Sequence, residues 1–279
     1  MHYIHKRAAI RHALLILPAV ALGVLAMVSG GVSSLLWGQQ LAAWLLLSLL
    51  IMPLRRPAGR IPDIAWQVIL CAVPALSLLG TDAGGAKRWL DLGVFNINAT
   101  MLTLPALLVV LHRAKQPHIA LLAAAFVLCL QPDLSQLTAL ILAALPVLWL
   151  HRKKLPLTII SIIVLCALEI RCVGIRVTPE PIAYCEGILD MLGGISPLLA
   201  AAGCAALAAV PVCLLYRAVR HRQSSFVSLA VYYAASMLFV LSGEYPVPFM
   251  GFGLSPIAGY CLAYVCTKGK TSESNEDTD

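Results

Sequence analysis

The sequence predicts an all-α fold, a polytopic transmembrane helical bundle of about ten spans with both ends on the cytoplasmic side. Three observations predict it. The 279 residues are 60% apolar and 12% charged, where soluble domains are roughly 45 to 50% apolar and 25% charged; a water-soluble fold could not cover that much apolar surface. Apolar stretches of about 15 to 25 residues recur along the chain, divided by short charged or Pro/Gly-bearing breaks. The basic residues gather in alternate breaks, as the positive-inside rule demands of a membrane protein.

Lys6, Arg7 and Arg11 precede the first apolar run and imitate a secretory signal. Residues 29–34 offer no small-x-small cleavage site and further spans follow, so the run is read as a retained first span over 13–32. The remaining spans are expected at 36–53, 64–80, 94–111, 118–131, 134–150, 155–173, 188–216, 225–242 and 247–266. With the amino terminus inside, 16 of the 20 Lys and Arg residues are cytoplasmic, and only Lys87, Arg88, Arg171 and Arg176 face outward. The outer side collects 8 of the 13 acids, Asp133, Glu169 and Glu186 among them, and a site is expected on that chemically mixed face. Spans of only about 15 to 18 residues are short for a hydrocarbon core of about 30 Å, so local thinning or burial against neighbours is expected in place of tilt. Residues 1–270 form a single transmembrane domain, and the acidic, Ser-rich residues 271–279 form a disordered cytoplasmic tail.

The net charge of +7 comes from anchoring clusters at the ends of spans, which excludes nucleic acid as a partner. The nine cysteines lack the paired spacing of zinc or haem sites and read mostly as small buried hydrophobes. Cys172 and Cys185 flank an outer loop, where a disulfide is possible. Histidines 5, 12, 112, 118, 151 and 221 fall in or beside cytoplasmic loops and are expected to face headgroups.

Three segments carry chemistry. Residues 80–93, GTDAGGAKRWLDLG, form one outer loop; Lys87 and Arg88 suit a diphosphate and Trp89 offers a flat apolar face at headgroup depth, although a turn with an interfacial anchor explains the composition equally well. Gln131 to Gln136 (QPDLSQ) place Asp133 at a membrane edge, where a carboxylate is either functional or the N-cap of the next helix. Tyr245 to Ser255 (YPVPFMGFGLS) set prolines and glycines around Phe249 and Phe252, a broken backbone that lines a cavity or serves close packing.

GAKRWLDLG at 85–93 resembles the G-A-x-R-W-L-x-L-G loop of the SEDS family (shape, elongation, division and sporulation), the RodA and FtsW type of peptidoglycan glycosyltransferase. Gln131 to Leu134 resembles its Q-P-D-L segment, and Pro246, Pro248, Phe249, Phe252, Gly253 and Ser255 fall in register with its P-x-P-F-x-S-Y-G-G-S motif. The resemblance implies a multi-pass protein of the bacterial cytoplasmic (inner) membrane that takes lipid II, an undecaprenyl-diphosphate-linked disaccharide, and extends glycan strands beside a class B penicillin-binding protein. It implies Lys87, Arg88, Trp89, Gln131, Phe252 and Ser255 as substrate-binding residues, Asp133 and Glu186 as the catalytic carboxylates, and a divalent cation, Mg or Mn, as the one cofactor to consider.

The chain departs from that pattern in places. It is shortened in the outer loop before span eight, where Thr178, Pro179 and Glu180 resemble the start of L-P-E-R-H-x-D-F. Tyr184 then stands where the family aspartate belongs, or Glu186 after a two-residue shift. Asn98 to Met101 replace Q-P-S-E, and Leu104 stands where a lysine is typical. Two functions therefore remain open, an active trimmed glycosyltransferase or a reduced relative that binds a lipid-linked sugar or a synthase partner without polymerising. A transporter is disfavoured because the charged residues sit on the outer face, away from mid-membrane.

Overall fold

The structure is a computed structural model and describes residues 2–80, 87–93, 96–175, 181–243 and 245–267. The tail at 271–279 and the match at Thr178, Pro179 and Glu180 lie outside the described residues.

Besides two single-turn 3-10 helices (Ser77–Leu79 and Arg152–Lys154), the regular elements of the described residues are twelve α-helices and one small hairpin. They are α1 (His2–Leu15), α2 (Leu17–Ser29), α3 (Ser34–Ala58), α4 (Asp63–Leu76), the hairpin β1 (Trp89–Asp91) and β2 (Asn96–Asn98), α5 (Ala99–Leu111), α6 (Pro117–Leu130), α7 (Leu134–Leu150), α8 (Leu155–Gly174), α9 (Ile188–Ile195), α10 (Pro197–His221), α11 (Ser224–Val240) and α12 (Leu254–Cys266). Because α1 with α2 and α9 with α10 are each one apolar run interrupted once, the described residues make the ten runs expected, in the order expected.

Proline chemistry explains both interruptions. Pro18 follows the bend at Ile16, and Pro197 opens α10 after Ser196, whose backbone is extended and whose Oγ accepts from Leu198 N at 3.2 Å. A proline has no amide to donate and its ring disfavours helix in the residue before it. Span eight, expected unbroken over 188–216, is corrected to two helices for this reason. Span four begins at Ala99, after the hairpin strand, and span ten at Leu254, after a non-helical segment; both were expected to start five to seven residues earlier.

Length sorts the helices by depth. Ala9–Ser29, Ser34–Ile51, Arg152–Gly174 and Pro197–His221 are long and apolar enough to cross a membrane alone, while six apolar helices are shorter. Of the short ones α5 sits innermost: every residue of it except Leu102 is buried, and it packs on α4 and α12 while α7 packs on α11. Neighbours thus cover helix ends that could not reach both interfaces. The long α8 and α10 expose one face, with Ile163, Ile170, Val212 and Val219 outward. Lipid must cover that surface, because water would not.

Two glycines set the closest approaches. A Cβ on Gly259 of α12 would lie 2.1 Å from the Met101 carbonyl oxygen of α5, and one on Gly23 of α2 equally close to that of Met250. Small residues let backbones meet where the bilayer supplies no hydrophobic drive. Residues 245–253 carry the second contact inward as irregular chain, with Val247, Phe249 and Met250 at most 1% exposed. Their backbone is satisfied by protein: Gln40 Nε2 donates to the Phe249 and Met250 carbonyls at 3.0 and 3.1 Å, and Val247 N and Phe252 N donate to Cys185 O and Tyr184 O at 3.2 and 2.9 Å. Non-helical backbone survives at membrane depth only on such terms.

The histidines correct an expectation. His12 is fully buried, stacked on Tyr260 at 3.8 Å between ring centres, with Arg217 donating to its Nδ1 at 3.1 Å. His118 is also fully buried, 3.2 Å from Ser161 Oγ, and His112 lies 2.8 Å from Ser228 Oγ. They link neighbouring helices at the inner end, where an imidazole can bond across a helix pair on both edges.

Candidate functional site

The outer end of the bundle is assembled around the hairpin. Its strands run antiparallel, Trp89 opposite Asn98 and Asp91 opposite Asn96. Asn98 caps α5, its Oδ1 accepting from Thr100 N at 3.1 Å and Met101 N at 3.0 Å, which satisfies amides the helix cannot. Its own amide donates to Ser255 Oγ at 2.8 Å and ties the hairpin to α12. On the other strand the Lys87 carbonyl accepts from Ser77 Oγ at 2.9 Å, and that hydroxyl accepts from Gln131 Nε2 at 2.6 Å. Gln131 also donates to the Pro74 carbonyl at 2.7 Å, so the ends of α4 and α6 and the strand form one frame.

This frame sets Arg88 beside Asp133. Arg88 Nε lies 3.6 Å from Asp133 Oδ2, the two side chains 6% and 1% exposed. The guanidinium also lies over the Tyr245 ring, 5.4 Å from its centre, close enough for a cation–π attraction. Asp133 Oδ1 accepts from Ser135 Oγ at 2.9 Å and from Gln136 N at 3.3 Å, which is the capping role weighed for it, while Oδ2 faces the cation. At 3.6 Å the pair attracts by charge without a well-formed hydrogen bond at that contact.

Other polar groups crowd the same end. Tyr232 of α11 donates to Gln136 Oε1 at 2.5 Å. Thr138 of α7 donates to Glu169 of α8, and Cys172, one turn further along α8, lies within electrostatic reach of Asp133, Glu169 and Arg88. Tyr245, Ser77 and Glu169 are thus site neighbours that the sequence reasoning did not select. A signal existed for Glu169, a lone acid near the end of an apolar span.

The expected residues divide into two groups. Arg88, Asp133 and Gln131 converge, with the Lys87 backbone joining them through Ser77 and Ser255 through Asn98. Gln131 and Ser255 are at most 1% exposed and both bond within the frame. The Lys87 side chain is exposed and Trp89 is half-buried. Phe252 and Glu186 belong to a second cluster. The Phe252 amide bonds Tyr184 O and its ring meets the Tyr184 ring edge-on. Glu186 Oε2 accepts from Ile182 N at 2.8 Å, so this carboxylate closes its own turn. The segment starting at Tyr245 runs from the first cluster to the second.

Cys172 and Cys185 are separate thiols, not the disulfide considered from sequence. Cys185 donates from Sγ to Phe252 O at 3.2 Å. Burial, reinforced by the neighbouring Glu186 carboxylate, pushes its pKa well above the ordinary thiol range. The described residues do not fit a resident divalent cation: among them no three His, Cys, Asp or Glu side chains group as metal ligands. Asp133, expected as a catalytic carboxylate, has Oδ1 engaged by the cap and Oδ2 facing a guanidinium.

No protein-family profile and no curated sequence matches this chain. Solved structures do. A chain from work described as "Structural coordination of polymerization and crosslinking by a peptidoglycan synthase complex" superposes with a TM-score of 0.62 at 18% identity, over 91% of this chain and 96% of that one. Thermus thermophilus rod shape determining protein RodA superposes at 0.51 and 19% identity over 91% and 94%, and its aspartate-to-alanine mutant at 0.51 and 20% over 91% and 95%. This chain has the RodA fold. The RodA superpositions span nearly the whole described bundle, so the multi-pass helical membrane architecture expected from sequence stands. Identities of 18 to 20% carry the fold and no residue's role.

Proposed function

We propose that this chain is a glycosyltransferase of the SEDS kind, acting on lipid II at the outer face of the cytoplasmic membrane in peptidoglycan synthesis. The observation that carries the reading is the buried meeting of Arg88 and Asp133 inside a RodA fold. In the transfer, the acceptor hydroxyl oxygen bonds to the anomeric carbon of the donor sugar. The bond from that carbon to the diphosphate breaks, and the diphosphate leaves with the electron pair. Arg88 turns from Asp133 to the leaving oxygen, where a positioned cation counts most as charge develops. Asp133 Oδ2, released by that turn, takes the acceptor proton, while Oδ1 keeps the α7 cap. Lys87, exposed beside Arg88, meets the second phosphate, and Trp89 and Phe252 border the lipid-linked sugar.

Purified protein given labelled lipid II should make glycan polymer. Asp133→Asn keeps the capping oxygen and loses the charge, and it lowers the rate by roughly a hundredfold or more if the carboxylate is the base. Wild-type rate in that variant overturns the base assignment, and no polymer from the wild type overturns the activity.

A second reading, a relative that binds lipid II or a class B penicillin-binding protein without turnover, is favoured by one observation. The carboxylate nearest the family aspartate position, Glu186, is engaged in its own turn. Saturable lipid II binding without polymer, or recovery of the cross-linking synthase from membranes, selects this reading.

A further inference from the structure

On the cytoplasmic side a cleft of about 710 Å³ opens between α4 and α6, within the size range of small-molecule sites. Its walls are apolar and face the lipid: Ile64 and Val68 on α4 and Ile119 on α6 are 67, 62 and 66% exposed. Its mouth is charged. Arg113 Nε donates to Asp63 Oδ1 at 2.7 Å, Lys115 is exposed on the rim, and Lys154 Nζ reaches the Lys115 carbonyl at 3.0 Å. Two cations therefore line the mouth beside one acid, an excess of one positive charge, and Lys154 adjoins them through the Lys115 backbone.

The depth is that of one leaflet. From Asp63 to Cys71 the α4 wall descends about 12 Å at 1.5 Å per residue, close to half of a hydrocarbon core of about 30 Å. A free anion would occupy the mouth and leave this wall bare. A zwitterionic lipid would fill the wall without answering the charge.

The geometry points to a binding site for one anionic phospholipid of the inner leaflet, with its phosphate headgroup between Arg113 and Lys115 and an acyl chain in the cleft between α4 and α6. Basic pockets between membrane helices on the cytoplasmic side take such headgroups. The Arg113–Asp63 pair holds the guanidinium in place, so that Lys115 supplies the mobile half of the clamp. The site is independent of the outer cluster, and its failure leaves the glycosyltransferase reading untouched.

The test is native mass spectrometry of the full chain in mild detergent with phosphatidylglycerol or phosphatidylcholine of the same acyl chains. The expected result is one retained phosphatidylglycerol, favoured about tenfold or more over phosphatidylcholine. Lys115→Gln, an exposed change that leaves the bundle intact, should lower that preference about fivefold, from roughly 1 kcal/mol per basic residue near a surface. Ala123→Trp fills the cleft from its lipid side and should remove retention of both lipids. Arg152→Gln, a cation outside the cleft, should change nothing. Equal retention of the two lipids, an equal effect of Arg152→Gln and Lys115→Gln, or undiminished binding in Ala123→Trp overturns the proposal.

Discussion

The two ends of the bundle each hold an ion pair, and the pairs differ in kind. At the inner end Arg113 and Asp63 approach to 2.7 Å with side chains 21% and 23% exposed. At the outer end Arg88 and Asp133 stand 3.6 Å apart, 6% and 1% exposed. The shorter contact is therefore the wetter one. Partial hydration weakens the inner pair and lets it adopt good geometry, with Arg113 also donating to the Cys266 carbonyl at 2.5 Å; it behaves as a staple. The outer pair has been taken out of water, and its Nε–Oδ2 contact stays open at 3.6 Å. The proposed transfer asks the outer cation to take an anionic partner in that closed-off site, whereas the inner cation is held at a short contact.

The largest expected effect tests this contrast directly. Removing one outer charge breaks an ion pair closed from solvent, a change that costs about 3 to 5 kcal/mol. Thermal unfolding in detergent should show Asp133→Leu and Arg88→Met each strongly destabilised, while the double variant recovers most of the loss. Additive losses in the double variant would mean that the pair is hydrated in solution and that the contrast between the two ends is false.

Next in size is Gln131, whose two donations at 2.6 and 2.7 Å hold the strand carrying Arg88 against α4. Gln131→Leu leaves Ser77 Oγ short of a donor at a buried site, while the Pro74 carbonyl still accepts from Ser77 Oγ at 2.8 Å. The cost therefore falls at the low end of about 1 to 3 kcal/mol. If Gln131 instead touches the substrate, stability should hold while lipid II affinity falls. The two measurements together separate a frame residue from a binding residue.

Much of this bundle was legible in the sequence, because hydropathy and charge bias report on lipid and loops without regard to packing. The order of the ten apolar runs followed from them. So did the placement of Arg88 and Asp133 on one end, since both lie in breaks on the same side of the count. Packing was not legible. Nothing in the sequence said that Ser255 would be spent on Asn98, or that Glu186 would close its own turn, because a hydroxyl or carboxylate reads alike whether it faces a ligand or a backbone amide. The buried histidines escaped for the same reason: a loop position suggested headgroups, while the partners that bury His12, Tyr260 and Tyr264, lie some 250 residues away in the chain.

Acid should loosen the inner end before the outer. Burial first, and the charge of His151 second, push His112 at the end of α5 down to about 4. A base depressed in the folded state takes up its proton more readily on unfolding. Stability is therefore constant above about pH 6.5, falls as pH drops from there towards about 4, and is flat below. The loss should reach the order of 1 kcal/mol by pH 5. His112→Gln, which keeps an acceptor and a donor for Ser228 and Ser224, should remove the share of that slope that His112 carries, and an unchanged slope would assign all of it elsewhere.

The smallest effect belongs to the inner pair, and its value lies in the contrast it draws. A partly exposed pair of this kind is worth about 1 kcal/mol, even at good geometry. Asp63→Asn should lower the unfolding midpoint slightly in low salt and hardly at all at 1 M salt, where the screening length is about 3 Å. The outer pair should not respond to salt, because ions cannot enter where both side chains are closed from solvent. A strong salt dependence of the Asp133→Leu effect would place water between Arg88 and Asp133. The outer pair would then be a second staple, and the contrast between the two ends would lose its footing.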